Sequence, residues 1–109
     1  MADPRLEPRL ERELARLEAA GQADRLVQVV IEHARPAVEP TTAGQAYALL
    51  APIMARLTAL GAPQFSPLPL ATAVSAALTP GQIRAIAAHP DVRLIHLAEP
   101  EIVTAVTPT

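Results

Sequence analysis

The chain has 109 residues, no cysteine, 50% hydrophobic and 2% aromatic residues, and a formal net charge of -2 at pH 7. This length excludes a second sizeable core, and the scarcity of aromatic residues predicts one domain with a core of Leu, Val, Ile and Ala. With 9 basic against 11 acidic residues, the chain lacks the positive charge that proteins use to bind nucleic acid, so we expect no nucleic-acid partner.

Leucines recur at helical spacing near the N-terminus, at steps of four, four and three residues: Leu6, Leu10, Leu14 and Leu17. This spacing predicts an amphipathic helix over residues 4–20, which starts at Asp3 and Pro4 and ends at Gly21. Such a helix either covers the flank of the domain or offers its leucine face to a partner or a second copy. The run is too short for a coiled coil.

The next segment predicts a strand followed by a helix. Residues 25–33 are rich in β-branched side chains, which is typical of a central strand, and residues 34–41 carry two prolines and form a loop. Thr42 and Gln45 have the spacing of a capping box for a helix that ends at Leu60 and Gly61. Pro52 lies inside this helix and should kink or break it. The expected buried stripe is Leu49, Leu50, Ile53, Met54, Leu57 and Leu60.

The second half predicts two strands, a helix and a strand. Three prolines in and around residues 64–70 allow only an edge strand or an irregular extended segment, because proline cannot donate to a sheet ladder. Residues 71–78 are typical of a strand of small side chains. Thr79, Pro80 and Gln82 start a short helix that His89 and Pro90 end. A strand follows over residues 91–98, and a last extended piece is expected over residues 102–106.

After the first helix, the order of elements is therefore strand, helix, strand, strand, helix, strand. This order predicts an α+β, ferredoxin-like split βαβ fold, with an antiparallel sheet, two helices on one face and an extra N-terminal amphipathic helix. The parts are the N-terminal helix (1–22), the main domain (25–106) and an extended C-terminal tail (104–109). The sheet face opposite the helices must then meet solvent or a partner.

The sequence offers no set of residues that an enzyme needs. Ser66 and Ser75 are the only serines, and Ser75 is expected to fill the sheet. His33, His89 and His96 lie on different elements without metal-ligand spacing; His89 is expected to cap a helix end and His96 to lie on the polar side of its strand. The four glycines fall at helix ends, so no phosphate loop is expected. We therefore expect no enzyme activity, no metal and no cofactor.

The location of the protein is inferred from what the sequence lacks. The first five residues carry no basic-then-apolar export signal, and the longest apolar run, residues 46–55, is interrupted by proline. The absence of cysteine agrees with a reducing compartment. We expect a soluble cytoplasmic chain with no membrane contact.

Residues 78–95 read LTPGQIRAIAAHPDVRLI. This run resembles the subtilisin propeptide and proteinase-inhibitor family, in which a strand ends in Leu-Ser/Thr-Pro, a short helix follows, and a Pro-Asp-Val turn begins the last long strand. The likeness extends over about residues 25–106. Residues 72–74, Thr-Ala-Val, depart from the Asn-Gly-aromatic sequence of the family's third strand, and the proline-rich second strand is also atypical.

The resemblance implies a domain that lays its sheet on two surface helices of a subtilisin-like serine protease. In the family, an acidic pair after the last strand meets the N-termini of those helices, and Glu99 and Glu101 fall at that position, with Glu101 replacing Asp. Carboxylates at helix N-termini are favourable because the terminal N–H groups are unpaired and the helix dipole is positive there. The alternative is a solvated pair of acids.

The resemblance also implies that the tail runs through the protease substrate cleft as an added strand. Counted from Glu101, the subsites leading to the catalytic serine would hold Thr104, Ala105, Val106 and Thr107. Pro108 would be the first leaving-side residue, and its tertiary amide fits badly there. We therefore expect a tail that binds like a substrate and is cut slowly, or else a disordered end.

Two functions follow as hypotheses. The first is a propeptide-like inhibitor, and folding chaperone, of a subtilisin-type serine protease. The second is a non-catalytic interaction module that self-associates or docks through its sheet face or its N-terminal helix.

Overall fold

We describe the protein from a computed structural model, in which residues 4–34 and 40–98 are defined. Within these ranges, helices and strands follow one another in the order α1 (Pro8–Ala19), β1 (Val27–His33), α2 (Ala43–Ala59), β2 (Gln64–Leu68), β3 (Ala73–Leu78), α3 (Pro80–Ala87) and β4 (Val92–Leu97). A 3₁₀ turn, Pro69–Ala71, connects β2 to β3. The chain is α+β, and the type and order of these elements are those that the sequence predicts.

The four strands form one open antiparallel sheet in the order β2-β3-β1-β4. β3 pairs antiparallel with both β1 and β2, and β4 pairs antiparallel with the other side of β1. β1 and β2 therefore run in the same direction, with β3 between them. β2 lies at an edge, which agrees with its proline content, because a proline there costs no ladder bond on the outer side.

One face of the sheet and all three helices share a single apolar core. The register places Val29 opposite Ala76 and Ile31 opposite Val74, so these four side chains point to the same side of the sheet. The fully buried helix residues complete the core: Leu10, Leu14 and Leu17 from α1, Leu50, Ile53 and Leu57 from α2, and Ile83 and Ile86 from α3. The helices therefore all lie on this face, which we call the helix face.

The leucine stripe of α1 belongs to this core, since Leu6, Leu10, Leu14 and Leu17 are at most 5% exposed. The first alternative for this helix is confirmed: it covers the flank of its own domain. Its leucine face is not free to bind a partner or a second copy, so self-association would have to use another surface.

Helix α1 begins at Pro8, one turn later than the leucine spacing predicts. Proline at the first helical position loses no hydrogen bond, and it holds Glu7 before it in an extended conformation. Residues 5–7 pair instead with the outer edge of β4. The Glu7 N–H donates to the Ile95 carbonyl (3.0 Å), and the Ile95 N–H donates to the Arg5 carbonyl (2.7 Å). This segment covers the β4 edge of the sheet.

The caps of α2 and α3 follow their sequence signals to different degrees. At α3, Thr79 Oγ1 accepts from the Gln82 N–H and Gln82 Oε1 accepts from the Thr79 N–H, so the predicted cap forms in full. At α2, Thr42 Oγ1 accepts from the Gln45 N–H, but Gln45 Oε1 accepts from the Thr41 N–H (2.7 Å). The reciprocal bond of the expected capping box is thus displaced by one residue.

Helix α2 is continuous from Ala43 to Ala59 through Pro52, so of the two effects expected of this proline, a kink or a break, the break does not occur. Pro52 and Ala48, whose carbonyl loses its donor four residues later, are both exposed. Water can therefore hydrate that carbonyl, and the packing of Leu50, Ile53 and Leu57 on the opposite side keeps the helix in place. Gly21 and Gly61 adopt positive φ angles of 73° and 80° just after α1 and α2, where a side chain would be strained.

Candidate functional site

The surface opposite the helix face is the candidate site, and we call it the open face. It is built by alternate residues of the four strands: Gln28, Val30 and Glu32 from β1, Gln64, Ser66 and Leu68 from β2, Ala73, Ser75 and Ala77 from β3, and Leu94 and His96 from β4. No helix within residues 4–34 and 40–98 covers this face, because all of them contribute to the core on the other side.

The centre of the open face is flat. β3 contributes no side chain larger than serine there, and Ala73 and Ala77 are only 1% and 9% exposed, because they lie between longer residues of the flanking strands. Ser75 is half-buried, and its Oγ accepts from the Gln28 amide across the strands (3.3 Å). Such a shallow surface can accept the side chains of another protein, whereas a small molecule usually needs a concave pocket.

A charged cluster forms where β4 joins the open face. Glu32 Oε2 lies 3.1 Å from His96 Nε2, and Glu32 Oε1 lies 3.3 Å from the Arg93 guanidinium. The pairing of β1 with β4 explains this contact. Glu32 lies opposite Leu94, but the next residue, His33, lies opposite Val92. Arg93 is therefore the extra residue of a β-bulge and turns toward Glu32. His96 lies on the polar side of its strand, as predicted. The sequence did not predict this cluster, because local sequence patterns do not determine which residues of β1 and β4 lie opposite each other.

Ion pairs join two of the helices that cover the sheet. Arg84 of α3 forms ion pairs with two glutamates of α1: its Nη1 lies 2.9 Å from Glu11 Oε1, and its Nη2 lies 2.9 Å from Glu18 Oε1. Hydrogen bonds from Arg84 hold the pKa of Glu18 below its ordinary value, and the two glutamates together raise the pKa of Arg84. These pairs fasten α1 to α3.

His89 lies directly after the end of α3, where a helix cap was expected, but its ring bonds outside the helix. Its Nδ1 accepts from the Asp91 N–H (3.0 Å). The carbonyls at the end of α3 are bound by Arg5 instead, whose Nη1 donates to the carbonyls of Ala87 (2.7 Å) and His89 (3.0 Å). Arg5 lies more than 80 residues away in sequence, so no local pattern could have indicated this cap.

The serine at the centre of the open face and two of the histidines have partners among the described residues. Ser75 bonds to Gln28, and His96 bonds to Glu32. The side chain of His33 is 7% exposed; its Nδ1 contacts the Ala34 carbonyl, and its Nε2 lies 3.9 Å from Asp91 Oδ2. In the described ranges, no three His, Asp or Glu side chains come together as a metal site, and no helix is long and apolar enough to cross a membrane.

All six residues that the resemblance implies for protease binding lie outside the described residues: Glu99, Glu101, Thr104, Ala105, Val106 and Thr107. The same holds for the expected extended piece over residues 102–106. The last described residue, Ala98, is still held to the sheet, because its N–H donates to the Gln28 carbonyl (3.0 Å).

A scan against protein-family models and searches of curated proteins and of solved structures find no match for this chain.

Proposed function

We propose that the protein is a propeptide-like inhibitor of a subtilisin-type serine protease, and that it can also assist folding of that protease. The observation that supports this proposal is the open face, because the three helices pack on the other side of the sheet and leave a flat surface for a partner. We further propose that the domain has the ferredoxin-like split βαβ arrangement. The strand order β2-β3-β1-β4, with β3 inserted between two strands of the same direction, supports it.

The shape of the open face suits docking on helices of a protease. The small side chains of β3 leave a shallow trough between the longer residues of β1 and β2. Gln28, Gln64 and Ser66 at its borders are exposed and can hydrogen-bond to a partner, while Ala73 and Ala77 allow close approach. An interface of this kind is held by shape complementarity with a moderate number of polar contacts.

The position of the last described residue, Ala98, also supports the proposal. β4 ends at Leu97, and the bond from Ala98 to Gln28 fixes the exit point of the chain beside the open face. In the proposed complex, Glu99 and Glu101 bind the N-termini of two protease helices, and residues 104–107 occupy the substrate cleft as an added strand. Sheet docking and tail insertion then use adjacent parts of one surface.

Inhibition kinetics against subtilisin test this function. The full chain should inhibit, and deletion of residues 104–109 should abolish inhibition. Ser75→Arg, which fills the trough, should weaken inhibition at least about tenfold, equivalent to about 1.4 kcal/mol. Ala55→Arg is the matched control, because Ala55 is exposed on α2, away from the open face. A full chain that does not inhibit would refute the proposal and favour a different interaction module.

Cleavage of the tail is a second test. We expect the Thr107-Pro108 bond to be cut slowly when the chain is mixed with subtilisin, because proline follows the scissile position. Mass spectrometry of the mixture over time measures this, with Pro108→Ala as the comparison. Rapid cleavage of this bond in the unmodified chain would contradict the prediction that Pro108 slows cleavage.

A further inference from the structure

A cleft lies at the end of the sheet where the chain leaves β4. Its walls are the last turns of α1, the connection from α1 to β1, and the last residues of β4, and it is widely open to solvent, with a volume of about 540 Å³. Ala98, the final described residue, is part of its lining. The volume is in the range of pockets that hold small ligands or a few side chains.

The apolar part of this cleft includes an exposed leucine. Leu26 is 51% exposed, the largest fraction among the large apolar side chains of the described residues. It lines the cleft together with Leu17, Val27 and Leu97, which are buried or half-buried. An exposed leucine that borders a groove offers a contact for another apolar side chain, since its burial would remove apolar surface from water.

The charge of the cleft is positive. Arg16 and Glu13 neutralise each other through two hydrogen bonds of 3.1 and 2.6 Å. These bonds, with smaller effects of the charges on Arg16 and Arg25, hold the pKa of Glu13 below its ordinary value. The Arg25 N–H donates to the Gln22 carbonyl (3.1 Å), but the exposed Arg25 guanidinium has no hydrogen bond or ion pair within the described ranges. It acts on Glu13 only through its charge, so it can also attract an anionic group of the tail.

The residues that follow Ala98 are long enough to reach this cleft, and their side chains complement its charge and its exposed leucine. Eleven residues follow it; they begin with acids at positions 99 and 101 and continue with Ile102 and Val103. An extended chain advances about 3.3 to 3.6 Å per residue, so Glu101 can lie up to roughly 10 Å from Ala98. A tethered segment of this length has an effective concentration in the mM range at the cleft, so even weak attraction populates the contact.

We propose that, in the free protein, the cleft binds residues 99–103 of the same chain, with an acidic side chain at Arg25 and an apolar side chain on Leu26. The contact itself does not depend on a protease. Its consequence rests on the proposed function: the acidic pair would have to leave Arg25 before it could bind protease helices, so the contact would restrain the inhibitor until it meets its target.

Paramagnetic broadening in the isolated protein tests this contact. The chain has no cysteine, so Thr104→Cys gives a unique site for a nitroxide label. Amide signals of residues 22–28 should be broadened, and Arg25→Glu should remove about half or more of that broadening, since it turns attraction into repulsion. Leu26→Ser should reduce it as well, and so should about 1 M NaCl, in which the screening length falls to about 3 Å.

Arg56→Glu is the matched control. Arg56 is exposed on α2 and the substitution makes the same change of charge away from the cleft, so it should leave the broadening unchanged. Broadening of residues 22–28 that is equally strong with Arg25→Glu would overturn the proposal, because it would reflect only the tether. All three variants, Arg25→Glu, Leu26→Ser and Arg56→Glu, replace exposed residues, and their amide spectra report directly whether the fold is retained. Because no protease is present, failure here leaves the proposed inhibition untouched.

Discussion

Replacement of Leu14 by alanine tests whether α1 is part of the domain. Leu14 is 0% exposed and belongs to the shared core. The change removes three carbon atoms, worth about 2.4 kcal/mol at about 0.8 kcal/mol per methylene. The cavity left behind adds to this, so we expect a loss of about 3 kcal/mol in the free energy of unfolding, inside the range for buried Leu→Ala substitutions of about 2–5 kcal/mol.

Urea and thermal unfolding followed by circular dichroism measure this effect. For a domain near this size, about 1 kcal/mol corresponds to roughly 4 °C, so the melting temperature should fall by about 12 °C. Since such domains are stable by about 5–15 kcal/mol, the variant should still fold at room temperature. Arg12→Ala, an exposed change on the same helix, should stay within about 0.5 kcal/mol of the unmodified chain.

A Leu14→Ala variant as stable as the Arg12→Ala control would refute the reasoning. It would mean that α1 does not pack on the sheet in solution, and its leucine face would again be free for a partner. A loss of cooperativity, with α1 unfolding before the sheet, would contradict the single shared core in the same way.

Three further predictions concern the connections between elements. Arg84→Gln should lower the free energy of unfolding by about 1–2 kcal/mol at pH 7, a modest value because the two ion pairs are partly exposed. Because Arg84 lowers the pKa of Glu18, that carboxylate stabilises the fold fully only above its unfolded pKa. The difference in unfolding free energy between the variant and the unmodified chain, measured with urea, should therefore shrink as the pH falls from 7 to about 3. A difference that does not change with pH would contradict this. Thr79→Ala should cost about 1 kcal/mol in chemical unfolding, because it removes the cap of α3, and no change would show that the cap is dispensable. Pro52→Ala should raise the melting temperature, with a gain of about 1–3 kcal/mol from the restored donor for the Ala48 carbonyl; a lower melting temperature would show that the helix needs the proline.

The sequence alone determined the elements whose signals are local. A Thr cap, a proline at the first helical position and a glutamine two residues later are sufficient to start α3, because all three act within one turn. In the same way, the prolines near β2 limited this segment to an edge strand or an irregular extended piece, and the structure has an edge strand. The predicted order of strands and helices placed the helices on one side of the sheet, which required one covered and one uncovered sheet face, and the structure has both.

Tertiary structure decided what depends on distant partners. Whether the leucines of α1 face their own sheet or another molecule is not decided by their spacing, because both outcomes bury the same stripe. The start of α1 moved to Pro8 because residues 5–7 pair with β4, at the other end of the chain. The hydrogen bonds from Arg5 to the end of α3, and those from Arg84 to the glutamates of α1, join residues more than 60 positions apart. Such contacts depend on the register and packing of the whole domain, which short-range propensities do not contain.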